Sequence, residues 1–71
     1  MNNLFLVEIE TKPCTTFRMQ YAHDLASVAI EAQNQGFRLR SVRALTTNEG
    51  LAMEHSGVKY GFAGVQNTVN T

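Results

Sequence analysis

Cys14, His23 and His55 are the side chains of this sequence best suited to bind a soft metal or attack a carbonyl. A zinc site takes such ligands in close pairs, commonly about two to five residues apart, and the intervals here match no such pattern. A catalytic cysteine would carry a local signature around Cys14, and none is present. The three read as a loop thiol and two surface or strand-end histidines, so neither a metal nor a cofactor is expected. Glu8 and Glu10 share a strand face and have the types for acid and base work. Without a lid or a second domain to enclose them they read as solvated carboxylates. The run 60–64 contains Gly61 and Gly64 but lacks both the lysine and hydroxyl of a phosphate loop and a helix behind it. No enzyme is expected.

Arginines carry the sharper expectation. Arg18, Arg38 and Arg40, with Arg43 or Lys59 extending the patch, are expected on one exposed sheet face, where guanidinium groups offer paired donors to phosphate or carboxylate. The predicted partner-binding set is Arg18, Arg38, Arg40, Glu8 and Lys59. The competing reading is cross-strand pairing with Glu8, Glu10 and Glu54, worth about a few tenths of a kcal/mol per pair.

Those residues must be positioned by a small number of elements. Residues 3–10 alternate, with Phe5, Val7 and Ile9 on one side, and 16–21 alternate again after a turn set by Pro13. The two form a predicted hairpin whose inner face holds Phe5, Val7, Ile9, Phe17, Met19 and Tyr21. Asp24 is the expected N-cap of one amphipathic helix over about 25–35, anchored by Leu25, Val28 and Ile30 among alanines and ended by Gly36. A strand follows from Phe37, with a bulge expected near Arg40–Ser41 where the alternation loses phase. Residues 46–50 read as a turn, so 51–55 are expected to return as an antiparallel strand. Residues 58–62 read as a short fifth strand or as an edge that packs back on the sheet.

The predicted fold is therefore α+β: an antiparallel sheet of four to five strands in ββαββ order, with one α-helix on one face and the other face bare. Residues 1–64 form a single domain and 65–71 a flexible tail. At 71 residues the chain is near the lower limit for an unaided core, which favours association. Six basic and six acidic residues cancel, so no basic nucleic-acid footprint shows in the overall balance. A lone cysteine, the absence of a long apolar run and a start without signal-peptide features predict a cytoplasmic, soluble protein with no membrane partner.

The layout resembles small phage and mobile-element proteins made against host defence, particularly type I anti-CRISPR proteins. The likeness lies in Phe5-Leu6-Val7-Glu8-Ile9-Glu10, the hairpin to Phe17-Arg18-Met19-Gln20-Tyr21, the Asp24-capped alanine-rich helix, Gly36-Phe37, and an expected final hairpin around Asn48-Glu49-Gly50. The resemblance implies a non-catalytic inhibitor in a bacterial host cell. Such a protein covers a protein-binding or nucleic-acid-binding surface of a larger protein or nucleoprotein complex. The alternatives are a small nucleic-acid-binding module and a self-associating regulatory module, with a homodimer among the expected states.

Overall fold

Alternation in the first two segments does produce a hairpin: β1 spans Asn3–Glu10 and β2 spans Thr15–Ala22. Next come α1 (Leu25–Asn34), β3 (Leu39–Ala44), α2 (Thr47–His55) and β4 (Lys59–Tyr60). The computed structural model describes residues 2–12 and 14–66. Pro13 and residues 67–71 of the expected tail lie outside the described residues. The sheet is mixed, with order β3-β1-β2-β4; β1 runs antiparallel to both neighbours and β4 runs parallel to β2. The fold is α+β, but among the described residues there are two helices instead of one, in the order ββαβαβ.

Hairpin register decides which residues share a face. Glu10 pairs with Thr15, so an even number of residues lies between the strands, and odd positions of β1 face even positions of β2. Val7 is therefore opposite Arg18, Leu6 opposite Met19 and Glu8 opposite Phe17. This corrects the predicted inner face: Phe17, Met19 and Tyr21 lie on the side away from Phe5, Val7 and Ile9. The main core joins Phe5, Val7 and Ile9 to Ala22, Val28, Ala32, Phe37 and Phe62, with Leu39, Val42 and Val65 packed beside it. Val65 thus belongs to the packed body and not to a tail.

Asp24 caps α1 by accepting from the Ser27 N–H and the Ser27 hydroxyl, both at 2.8 Å. Gly36, at φ 87°, ends it as expected; its N–H donates to Gln33 O while the Phe37 N–H donates to Ala32 O. Those two bonds make a Schellman closure and drop the Phe37 ring into the core. The helix buries Val28 and Ala32, whereas Leu25 and Ile30 are 48% and 58% exposed and are not the predicted anchors.

In β3 the bulge falls where the sequence places it, since Glu8 pairs with Ser41 and Ile9 with Leu39, leaving Arg40 as the extra residue. Beyond β3 the predicted turn and strand are instead α2. Thr46 and Glu49 form a reciprocal capping box, which satisfies two otherwise orphaned N–H groups and starts a helix through Gly50. Gly57, at φ 96°, closes it in the same manner as Gly36 closes α1. No helix among the described residues is long and apolar enough to cross a membrane.

A candidate docking cleft beside the second helix

The sheet face away from α1 is not bare. Arg43 on β3 meets Glu49 of α2 at 3.4 Å, and the Tyr60 hydroxyl on β4 donates to Glu54 of α2 at 3.0 Å. The two tethers hold α2 across the face from one edge strand to the other. Its nine residues span about 14 Å at 1.5 Å each, close to the width of three interstrand spacings. Close approach is possible because Gly50 has no side chain: a Cβ there would stand 2.6 Å from Leu4 Cδ2. Met53, one turn further along, is half-buried, and beneath the helix Met19 is fully buried beside Leu6.

Between α2 and the end of the sheet lies a cleft of about 250 Å³. Leu4 and Leu45 line it from the sheet side, Gly50 and Leu51 from α2, and Tyr21 and Tyr60 from β2 and β4. Asn2, Asn3, Thr46 and Thr47 add amide and hydroxyl groups. The two tyrosine rings stack with centroids 5.8 Å apart and planes within 4°. They form an aromatic wall that water still reaches, with Tyr21 at 56%, Tyr60 at 43% and Leu51 at 51% exposure. Phe17 is also exposed on this sheet face, next to Glu8.

Electrostatics tune the wall and the helix. Donation to the Glu54 carboxylate pushes the Tyr60 phenol up to about 12, because ionisation would set two negative charges together. The Thr46 N–H, and after it Arg43, hold Glu49 below its ordinary value, so the cap carries its charge at neutral pH. Asp24 is lowered likewise by the Ser27 hydroxyl and N–H.

The residues expected to form one binding face are not brought together. Arg18 is on the α1 side with Val7, where its guanidinium donates to Ala63 O at 2.8 Å and Gly61 O at 3.3 Å. That role is structural: it ties down the segment carrying Phe62 into the core. Lys59 pairs in register with Arg18 and is exposed. Glu8 is on the opposite face and accepts from the Ser41 hydroxyl at 2.9 Å. Arg38 precedes β3 and Arg40 sits at its bulge, both exposed. The sharing of a face fails because it assumed the opposite hairpin register. Cys14 is exposed in the β1–β2 connection, whereas His23 follows β2, nine residues on and about 30 Å away along an extended strand. Among the described residues no three metal-ligating side chains cluster.

Sequence reasoning missed Tyr21, Tyr60, Gly50 and Leu51 as cleft residues. Thr46-x-x-Glu49 was the available signal, since a capping box marks a helix start where a turn was read. Comparison with protein-family models, with curated proteins and with solved structures finds no match for this chain.

Proposed function

We propose that the chain is a non-enzymatic binding protein that inhibits a larger host complex by occupying a protein-binding or nucleic-acid-binding surface. The observation that supports this reading is the α2 cleft with its exposed tyrosine wall. In a domain this small, large apolar rings kept in water are contact area, and tyrosine is a frequent interface anchor because it adds area and a polar tip at low entropic cost. The cleft has room for one large apolar side chain of a partner. Glu8, Glu10 and Glu54 lie on the same side of the molecule and suit a basic surround, as a nucleic-acid-binding surface would supply. The resemblance to type I anti-CRISPR proteins makes a CRISPR effector complex the partner of choice.

Expression in a bacterial host whose type I CRISPR system targets a given phage tests this: plaquing should be restored by the protein and not by Tyr21→Ser/Tyr60→Ser. Failure of the unaltered protein to restore plaquing removes the host-defence part of the reading. Restoration by the double variant removes the cleft.

A second reading has one observation in its favour, since stacked aromatics on a sheet face also suit unpaired bases. The rings expected on the inner side are in fact outward. Glu54, which accepts from the Tyr60 hydroxyl, opposes a phosphate backbone there. A filter-binding titration with single-stranded DNA decides it, because direct binding weakens steeply with salt.

A further inference from the structure

Charge is unevenly shared between the two ends of the α2 cleft. At the Thr46 end the helix N-terminus is closed by the capping box, and the Glu49 carboxylate is met by Arg43 at 3.4 Å. Towards the other end, Glu54 is exposed and joins no ion pair among the described residues. It accepts the Tyr60 hydroxyl through one oxygen at 3.0 Å, a neutral donor that leaves the negative charge in place. Lys59, next to Tyr60 in sequence, is on the opposite sheet face with Arg18. Leu51 lines the cleft and stands three residues before Glu54, so the two are neighbours on the helix surface, about 5–6 Å apart between Cβ atoms. Tyr21 and Tyr60 stack on each other, which leaves each ring one face for an outside group, and both are half-exposed. Aromatic faces beside a carboxylate without a basic partner are complementary to a cation.

We propose that the cleft receives an arginine adjoining a leucine-sized residue, both from a segment of a partner protein. The apolar side chain enters between Leu4, Leu45 and Leu51, while the arginine stem crosses the tyrosine wall and its guanidinium meets Glu54. Arginine suits the site better than lysine, because its planar group lies flat on a phenol ring and offers paired donors to a carboxylate. This assignment rests on the cleft being the contact site proposed above and adds the chemistry of what enters it.

The test is an NMR titration of the full chain with N-acetyl-Leu-Arg-amide and with its Lys and Glu counterparts, following the Tyr21 and Tyr60 ring protons and the Leu51 methyls. The expected result is saturable binding of the Arg dipeptide, binding of the Lys dipeptide weaker by about twofold or more, and no saturation by the Glu dipeptide. Glu54→Gln keeps an acceptor for Tyr60 and should weaken binding of the Arg dipeptide about three- to fivefold while removing most of its salt dependence. Tyr21→Leu keeps apolar area and the bond between Tyr60 and Glu54, and should weaken it about two- to fivefold. Equal binding of the Lys or Glu dipeptide, unchanged affinity in Glu54→Gln, or shifts confined to residues outside the cleft would each overturn the assignment. So would shifts of the same rings produced by single-stranded DNA, or by concentrating the chain alone, with none from the Arg dipeptide; those give the cleft to a nucleic acid or to a second copy. Restored plaquing with no preference for the Arg dipeptide sinks this assignment alone, whereas arginine-selective binding without restored plaquing upholds it and removes only the host-defence reading.

Discussion

Tyr21 and Tyr60 stack face to face because β4 lies parallel to β2, with Tyr60 in register with Met19, two positions before Tyr21 and on the same side of the sheet. The short strand therefore places one ring beside the other, and Glu54 of α2 fixes the far end of Tyr60. Sheet edge, helix and cleft wall are joined at this one phenol.

The first consequence is a pH dependence. Folding raises the Tyr60 pKa to about 12, so the folded state holds that proton more tightly than the unfolded chain does. The stabilisation is complete below the unfolded value near 10 and is lost as pH rises from about 10 to about 12. Near-ultraviolet titration should show Tyr60 ionising at about 12, and Glu54→Gln should lower that value. An unchanged Tyr60 titration in Glu54→Gln would show that the bond to Glu54 is not its cause.

Gly50 and Leu4 should behave as a coupled pair. Alanine at position 50 gains about 1 kcal/mol of helix propensity but meets Leu4 Cδ2 at 2.6 Å, and overpacking costs about 1–3 kcal/mol. Since the contact is a side-chain tip that can partly move aside, Gly50→Ala is expected to destabilise by about 1 kcal/mol. In a Leu4→Ala background the same change should stabilise by about 1 kcal/mol. Additive values in a urea-denaturation cycle would mean that α2 does not press on Leu4.

Anchoring of α1 is the next point. Val28 is fully buried, so Val28→Ala should cost about 2 kcal/mol, while Leu25→Ala should cost less than about 1 kcal/mol because about half of that side chain is already in water. Chemical denaturation of the two variants checks the order, and the reverse order would restore Leu25 as an anchor.

Arg18 should matter for the 61–65 segment and not for binding. Losing its bonds to Gly61 O and Ala63 O should speed exchange of the Val65 amide, which donates to Phe62 O, and cost about 1 kcal/mol. Loss of partner binding at full stability in Arg18→Ala would return Arg18 to the contact surface.

Local signals with a single physical meaning were legible. Asp24 as cap, Gly36 as terminator and the β3 bulge are set by neighbours in sequence, and all three are found. The hairpin register was not legible, because the pairing of Glu10 with Thr15 depends on how the connecting residues turn, and one step moves every β2 side chain to the other face. The extent of α1's buried stripe was obscured by its alanines, which suit either side of a helix. Reading 46–50 as a turn gave weight to Asn48 and Gly50 over the Thr46–Glu49 box. In the fold that glycine serves a tertiary contact with Leu4, which the one-dimensional pattern does not carry. The cleft follows from both misread features, so it could not be foreseen.

The central claim is that contact runs through the cleft wall and not through the arginines. Affinity capture from host extract, quantified side by side for the unaltered chain, Tyr21→Ser/Tyr60→Ser and Arg38→Ala/Arg40→Ala, tests it most directly. The account predicts that a partner complex held by the unaltered chain is lost with the tyrosine pair and kept with the arginine pair. Retention of that complex by a folded Tyr21→Ser/Tyr60→Ser protein would contradict it.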